Sequence, residues 1–171
     1  MTPRARPLTR WIVARDNPSS FENAFRMAVA TVASYLLARL IRLPEVYWAP
    51  ISTMVVMQSS MAGALPVALQ RFAGTAMGAA VGAVTVSYFS GDIWAFGIDV
   101  FLVGILCAVL RIERSAYRYS AITLAIVMLV PRSVSVWLIA IHRFCEVSVG
   151  IAVGLMVSAL WPERHPQNTD S

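Results

Sequence analysis

The chain has 171 residues, of which 58% are hydrophobic and only 13% charged, and its mean hydropathy is +0.66. Soluble domains are roughly 45–50% apolar and about 25% charged, and one this small cannot bury such an excess of apolar surface. The composition excludes a soluble enzyme, a disordered chain and a secreted disulfide scaffold, and it predicts a single membrane domain. The net charge is +5 and every basic residue is arginine. Because the arginines flank apolar segments, we expect a lipid bilayer as the partner and no nucleic acid.

The two ends of the chain are polar. Residues 1–23 carry four arginines, and no apolar run follows within the first twenty residues, so the pattern does not indicate a cleaved signal peptide. We expect residues 1–23 to form a cytoplasmic arm at the membrane surface. We expect residues 163–171 to form a cytoplasmic tail.

Between these ends lie six apolar runs of about 18 residues, each long enough to cross a bilayer core as a helix. They are Ala24–Ile41, Trp48–Leu65, Phe72–Phe89, Ile93–Leu110, Ser120–Trp137 and Phe144–Trp161. Pro131 and Arg132 make the fifth run the weakest. None of the runs alternates with the period of two that membrane strands show. The sequence therefore predicts an all-α membrane protein with six transmembrane helices, forming one domain over residues 24–162.

The arginines predict the orientation of the chain. With a cytoplasmic N-terminus, ten of them lie on the inner side and four on the outer side, and the opposite orientation reverses these numbers. Loops rich in arginine remain in the cytoplasm. We expect a multi-pass protein of the cell inner membrane with both termini in the cytoplasm.

An internal repeat has an offset of about 72 residues. Arg71-Phe72 followed by Gly78 matches Arg143-Phe144 followed by Gly150, and Arg39 matches Arg111. The six runs then align one to four, two to five and three to six. Because three spans are an odd number, the second unit enters the membrane from the other side. The pattern predicts two inverted three-helix repeats, an architecture of secondary transporters.

Small residues recur along the third and sixth runs at helical spacing. They are Gly74, Gly78 and Gly82 in the third run and Gly150 and Gly154 in the sixth. Such residues let two helices approach closely in lipid, so we expect these faces to pack helices together.

Ionisable residues within apolar runs are costly and are candidates for function. Asp99 could exchange protons or pair with an arginine. Arg143 and Glu146 could form a structural pair at i, i+3, or bind substrate and titrate. His142 could shuttle protons or lie at the interface, and Arg26 could extend to the inner surface.

Aromatic and polar groups of the second run offer a path for an aromatic substrate. Trp48 could stack on a ring and Thr53 could donate a hydrogen bond, although an interfacial aromatic belt together with helix–helix contacts is the simpler explanation. Two histidines and two isolated cysteines, Cys107 and Cys145, have no metal-ligand spacing. We expect no metal, no cofactor and no catalytic residue.

Three segments of the sequence carry a common set of motifs. They are Trp48-Ala-Pro-Ile-Ser-Thr53-Met-Val-Val, Arg71-Phe-Ala-Gly74-Thr75 with Gly78 and Gly82, and Arg143-Phe-Cys-Glu146 with Gly150, Gly154 and Trp161-Pro162. These segments resemble the fusaric acid resistance protein-like family, also described as aromatic acid exporters. The resemblance covers most of residues 24–162. It implies a six-helix bacterial inner-membrane module that exports aromatic carboxylic acids with the proton gradient. Larger members carry two such modules and a soluble domain, so we expect this single module to form a homo-oligomer.

Two functions from different classes remain open. In the first, the chain is an efflux module in which Arg71 and Arg143 attract the carboxylate, Trp48 stacks on the ring, and Asp99 or Glu146 exchanges protons. In the second, it is a membrane scaffold or accessory subunit without a transport path. An intramembrane enzyme is disfavoured, because no nucleophile elbow or phosphate loop is present in the sequence.

Overall fold

A computed structural model describes residues 21–57, 61–89, 92–130 and 134–161, and the regular elements in these ranges are all α-helices. They are α1 Phe21–Leu40, α2 Trp48–Val56, α3 Met61–Tyr88, α4 Ile93–Val109, α5 Arg114–Leu129 and α6 Val136–Leu160. This part of the chain confirms the all-α class. The expected cytoplasmic arm, apart from residues 21–23, lies outside the described residues, as do the tail and the segment containing Pro131 and Arg132.

The second predicted span, 48–65, is wrong. Helix α2 has nine residues and ends where the amide of Met57 donates to the carbonyl oxygen of Thr53, at 3.0 Å. At 1.5 Å per residue it is about 13 Å long, less than half of a bilayer core. Residues 61–65 instead begin α3, which runs for 28 residues. The predicted span counted Gln58-Ser59-Ser60 as part of an apolar run, although these three residues are polar.

Two other boundaries differ from the prediction. Helix α5 covers 114–129 rather than 120–137, and α6 begins at Val136 rather than at Phe144. The predicted third and sixth spans begin directly after Arg71 and Arg143. In the structure, these two arginines lie well inside α3 and α6. A hydropathy window ends a span at an arginine, but a helix continues through one whose guanidinium group has partners inside the protein.

Among the residues that the structure describes, two helices are long and apolar enough to cross a membrane. These are the segments 62–88 of α3 and 136–160 of α6, and α4 is a shorter apolar helix. The prediction of six crossings also counts the other four helices, which do not meet this criterion of length and hydropathy.

Helices α3 and α6 pack side by side in antiparallel directions. Ala68 near the beginning of α3 clusters with Ile151 in the second half of α6, while Ala79 further along α3 clusters with Ala140 near the beginning of α6. Alanines predominate on the α3 side, so the two longest helices approach closely and form the centre of the bundle.

Helices α3 and α5 run parallel and touch through glycine. A Cβ atom at Gly78 would collide with the carbonyl oxygen of Ser120, and one at Gly74 would collide with that of Ala116. The hydroxyl of Ser120 donates to the carbonyl oxygen of Gly74 at 2.7 Å. At Gly82 the nearest atom to such a Cβ would be a methyl carbon of Val127, at 3.1 Å.

Helices α2 and α6 form a second parallel pair of the same kind. A Cβ atom at Gly150 would collide with the carbonyl oxygen of Ala49, and one at Gly154 would lie 3.3 Å from the Cβ of Val56. The hydroxyl of Thr53 donates to the carbonyl oxygen of Gly150 at 2.9 Å. We call α2 with α6, and α3 with α5, the two glycine-packed pairs.

Helices α1 and α4 flank this centre and end in the same local structure. Arg42 and Arg111 adopt left-handed backbone conformations, with φ of 56° and 55°. After each, the next amide donates to the carbonyl oxygen five residues earlier, at 3.0 and 2.9 Å, which is the Schellman pattern. In the structure, Arg111 therefore corresponds to Arg42. The sequence offset had instead matched Arg111 with Arg39, three residues before Arg42.

Helix α1 is tied to the end of α6. The Nη1 atom of Arg26 donates to the carbonyl oxygen of Trp161 at 2.7 Å, and the indole of Trp161 donates to Glu22 at 3.0 Å. Arg26 is buried, so it caps the carboxyl end of α6 and does not extend to the surface.

The glycine contacts generate a stability prediction with an internal control. Gly78→Ala and Gly150→Ala place a methyl group against backbone and should each lower stability by about 1–3 kcal/mol through overpacking. Gly97→Ala on α4 should be neutral or stabilising by up to about 1 kcal/mol, because nothing lies within 4 Å of its Cβ position. Thermal unfolding of the purified protein in detergent measures all three, and equal midpoints would contradict the close approach of the helices.

Candidate functional site

Two buried guanidinium groups face each other at the centre of the bundle. Arg71 on α3 is 7% exposed and Arg143 on α6 is 2% exposed. Both line a cavity of about 10 Å³, together with Trp48 of α2 and Tyr119 of α5. The structure thus brings together three of the four residues that the sequence assigns to substrate binding.

Each guanidinium group stacks on an aromatic ring from its own glycine-packed pair. The Cζ atom of Arg143 lies 3.9 Å from the centre of the Trp48 ring, and that of Arg71 lies 5.0 Å from the centre of the Tyr119 ring. Both distances are within the range of cation–π attraction. The next residue of each helix joins the two pairs, since the rings of Phe72 and Phe144 meet with their centres 4.7 Å apart.

Arg143 is neutralised by two carboxylates. Its Nη2 atom lies 3.0 Å from Oε2 of Glu45, and its Nη1 atom lies 3.4 Å from Oε2 of Glu146, the partner expected at i, i+3. Glu146 is 1% exposed and Glu45 is 15% exposed. A buried ion pair of this kind is sensitive to the loss of any member, because the remaining charge stays desolvated.

Glu45 also fastens the α1–α2 connection to α6. Its backbone amide donates to Oε1 of Glu146 at 2.9 Å, and its Oε2 atom accepts a hydrogen bond from the indole of Trp48, also at 2.9 Å. Glu45 was not predicted as a site residue, because it lies between two apolar runs. Its spacing of three residues from Trp48 is the one local indication that these two side chains could interact. No sequence pattern indicates its contact with Arg143.

Arg71 has a different environment. Its Nη2 atom donates to the hydroxyl of Ser52 at 3.1 Å, while its Nε atom is buried without an acceptor. Within the described ranges, no carboxylate forms an ion pair with Arg71. Gly74 occupies the position that Glu146 occupies after Arg143, so the carboxylate at i+3 is absent. Ser52 and Tyr119 are further site residues that were not predicted from the sequence.

A second cavity of about 110 Å³ lies on the other side of Arg143. Its polar lining consists of Glu45, His142, Arg143 and Glu146, and Pro44 and Leu138 are among its apolar lining residues. Arg143 lines both cavities. Its ion pairs with Glu45 and Glu146 therefore lie in the lining of the larger one.

Thr53 and Asp99 lie outside both cavities. The hydroxyl of Thr53 is 3.1 Å from the carbonyl oxygen of Ala49 and 2.9 Å from that of Gly150, so it joins α2 to α6. Asp99 is 4% exposed on α4, and within the described part of the chain its Oδ2 atom has no hydrogen-bond partner. Trp48 lines the central cavity, but the Arg143 guanidinium covers one face of its ring.

Comparison with known protein families identifies the chain. The model of the fusaric acid resistance protein-like family matches residues 27–157. The chain therefore belongs to this family, and the resemblance of its three motif segments is confirmed. No solved structure matches the chain significantly.

Curated relatives are similar over most of the chain. "Uncharacterized transporter YdhK" of Salmonella typhimurium is 27% identical over an alignment of 164 residues, which covers 90% of this chain and 24% of that protein. "Inner membrane protein YeeA" of Escherichia coli K12 is 24% identical over an alignment of 142 residues, which covers 81% of this chain and 40% of that protein. The chain thus spans between a quarter and two fifths of the length of these relatives.

The carboxylate pair at Arg143 predicts an order of stabilities. Arg143→Met leaves Glu45 and Glu146 buried together and should cost about 3–5 kcal/mol. Removing Glu146 as well, in Arg143→Met/Glu146→Met, should restore part of that loss, because one uncompensated charge disappears. Thermal unfolding in detergent ranks the variants, with exposed Arg118→Met as the control. A double variant less stable than Arg143→Met would show that the two groups do not compensate each other.

Proposed function

We propose that this chain is an inner-membrane transport module that exports small aromatic carboxylates and whose transport is coupled to protons. The observation that carries the proposal is Arg71, a buried guanidinium group without a carboxylate partner among the described residues. The names of the relatives, a transporter and an inner membrane protein, support transport rather than catalysis.

The chemistry of Arg71 suits a carboxylate attached to a ring. A guanidinium group presents parallel N–H donors that match the two oxygens of a carboxylate, and its buried Nε atom is available as one of them. Tyr119 and Trp48 border the same cavity and supply aromatic surface beside the charge. A planar aromatic acid fits these groups better than a phosphate or a sugar.

The charge balance of the centre supports proton coupling. Two arginines and two glutamates, Arg71 and Arg143 with Glu45 and Glu146, sum to zero when all are ionised. An incoming carboxylate adds one negative charge in a medium where uncompensated charge is costly. Protonation of Glu146 or Glu45 would restore neutrality, so proton binding and anion binding favour each other. Asp99 remains a second candidate for proton exchange, at a distance from the anion site.

The packing supports an inverted repeat and suggests which parts move. The contact of Gly78 with Ser120 corresponds to that of Gly150 with Ala49, and both join helices from different halves of the sequence. A cavity of about 10 Å³ holds no more than a water molecule, so substrate requires the helices to separate. We propose that the two glycine-packed pairs move as units, each carrying one arginine and its aromatic ring. Rocking between such units would expose the site to each side in turn.

A membrane scaffold is the second candidate function. Arg143 and Glu146 satisfy each other with Glu45 in a core that is nearly sealed, which is what a purely structural pair would show. Arg71 is the residue that separates the two functions, because a guanidinium group with a purely structural role costs less to bury when it has a carboxylate partner.

The transport proposal is tested in proteoliposomes with labelled benzoate, with and without a pH gradient. Arg71→Gln should weaken the apparent affinity about 10- to 100-fold, the equivalent of one charge-assisted hydrogen-bonded contact. Arg71→Lys should be intermediate, because it keeps the charge and loses the planar donors. Glu146→Gln should reduce the dependence of flux on the pH gradient.

Exposed Arg39→Gln is the control for the loss of one arginine and should transport like the parent protein. Elution of each variant as a single folded species in detergent distinguishes loss of function from loss of fold. Benzoate flux through the parent protein no faster than through protein-free liposomes would remove the transport proposal and favour the scaffold.

An orientation with both termini in the cytoplasm, as the arginine distribution predicts, leads to a specific labelling pattern in cells. In a chain whose two native cysteines are replaced by alanine, Glu113→Cys lies between α4 and α5 and should be cytoplasmic. Ile41→Cys lies just after α1 and should face the outside. An impermeant thiol reagent added to cells with a permeabilised outer membrane should label only Ile41→Cys, and labelling of Glu113→Cys instead would reverse the topology.

A further inference from the structure

We infer that the groove between α4 and α5 binds an anionic phospholipid, with an acyl chain along α4 and the phosphate at Arg114. The groove has a volume of about 520 Å³ and is separate from the cavities around Arg143. This inference does not depend on the transport proposal.

The body of the groove is apolar and open. It is lined by Phe101, Gly104, Ile105 and Ala108 of α4 and by Tyr117 of α5, among others. Gly104 deepens it, since a Cβ atom there would lie 3.3 Å from the edge of the Tyr117 ring. A linear hydrocarbon chain is complementary to such a surface, whereas a polar solute would leave its hydrogen bonds unmade.

One end of the groove is basic. Arg114 lines it, and Arg111 and Arg118 lie close by in sequence, all three exposed to solvent. Arg114 and Arg118 are four residues apart on α5 and so share a helix face. Glu113 is the one acidic residue in the segment 111–118. Positive charge at the end of an apolar groove matches a lipid with a negatively charged headgroup, and basic sites between membrane helices bind such headgroups.

Charge complementarity also decides between the possible occupants. A second copy of the chain would bring its own excess of arginine, because the net charge is +5. An anionic phospholipid satisfies both ends of the groove, while the quaternary ammonium of a zwitterionic lipid would lie beside the same arginines and offset the attraction of its phosphate. The tyrosine beside the basic end is a residue type enriched at the level of lipid headgroups.

The test is native mass spectrometry of the full chain from detergent containing dioleoyl phosphatidylglycerol or dioleoyl phosphatidylcholine. The parent protein should retain the anionic lipid several-fold more than the zwitterionic one. Arg114→Gln should remove this preference. Gly104→Leu and Ala108→Leu should lower retention of the anionic lipid by filling the groove, and either variant suffices if the other does not fold.

Gly97→Leu is the matched control, since it adds the same side chain to α4 where no atom lies within 4 Å. It should leave lipid retention unchanged. Equal retention of both lipids by the parent protein, or equal loss in Gly97→Leu and Gly104→Leu, would overturn the inference. Conversion of a dimer to a monomer by Gly104→Leu with no loss of lipid would assign the groove to a second copy and would also overturn it. Displacement of the lipid by glycerol phosphate alone would show that the headgroup carries the affinity, and it would overturn the binding of an acyl chain along α4.

Discussion

The burial of two guanidinium groups is the constraint on which the rest of the structure depends. An arginine in the interior of a small helical bundle is costly unless its charge and its donors find partners. Here each one stacks on an aromatic ring, and one of them also meets two carboxylates. The partners come from helices distant in sequence, so satisfying the arginines fixes how the helices assemble. Arg143 alone joins α6 to α2 and to the connection that precedes it.

Glycine makes this arrangement geometrically possible. For the Trp48 ring to lie on the Arg143 guanidinium, α2 must approach α6 at the distance that Gly150 and Gly154 permit. The same relation links Tyr119 and Arg71 to the contacts at Gly74 and Gly78. In a lipid environment close packing of this kind supplies much of the attraction between helices. The stripes of small residues and the buried charges are therefore parts of one arrangement.

The sequence predicts the parts of this structure that depend on local pattern. The all-α class and the i, i+3 spacing of Arg143 and Glu146 follow from composition and from residue intervals, and the family follows from the resemblance of three motif segments. The end of α2 at Val56 could not be read from hydropathy, because Met57-Gln58-Ser59-Ser60 is only a brief interruption between apolar segments. Glu45, Ser52 and Tyr119 could not be assigned either, since their roles arise from contacts across 98, 19 and 48 positions of the chain. Thr53 has the chemistry of a ligand-binding residue, but the close approach of α6 directs its hydroxyl to a backbone carbonyl.

The two arginines are related by position but differ in environment, and the difference can be traced to one residue. At the third place after Arg143 stands Glu146, and at the third place after Arg71 stands Gly74. A glutamate at position 74 could not be accommodated, because even a Cβ atom there would collide with the backbone of α5. The contact that holds α3 to α5 thus excludes an acidic neighbour for Arg71. Arg143 has two carboxylate partners, while Arg71 forms no ion pair among the described residues. The anion site proposed here requires a guanidinium group whose charge is not already neutralised, and in this bundle the packing of α3 against α5 leaves Arg71 in that state.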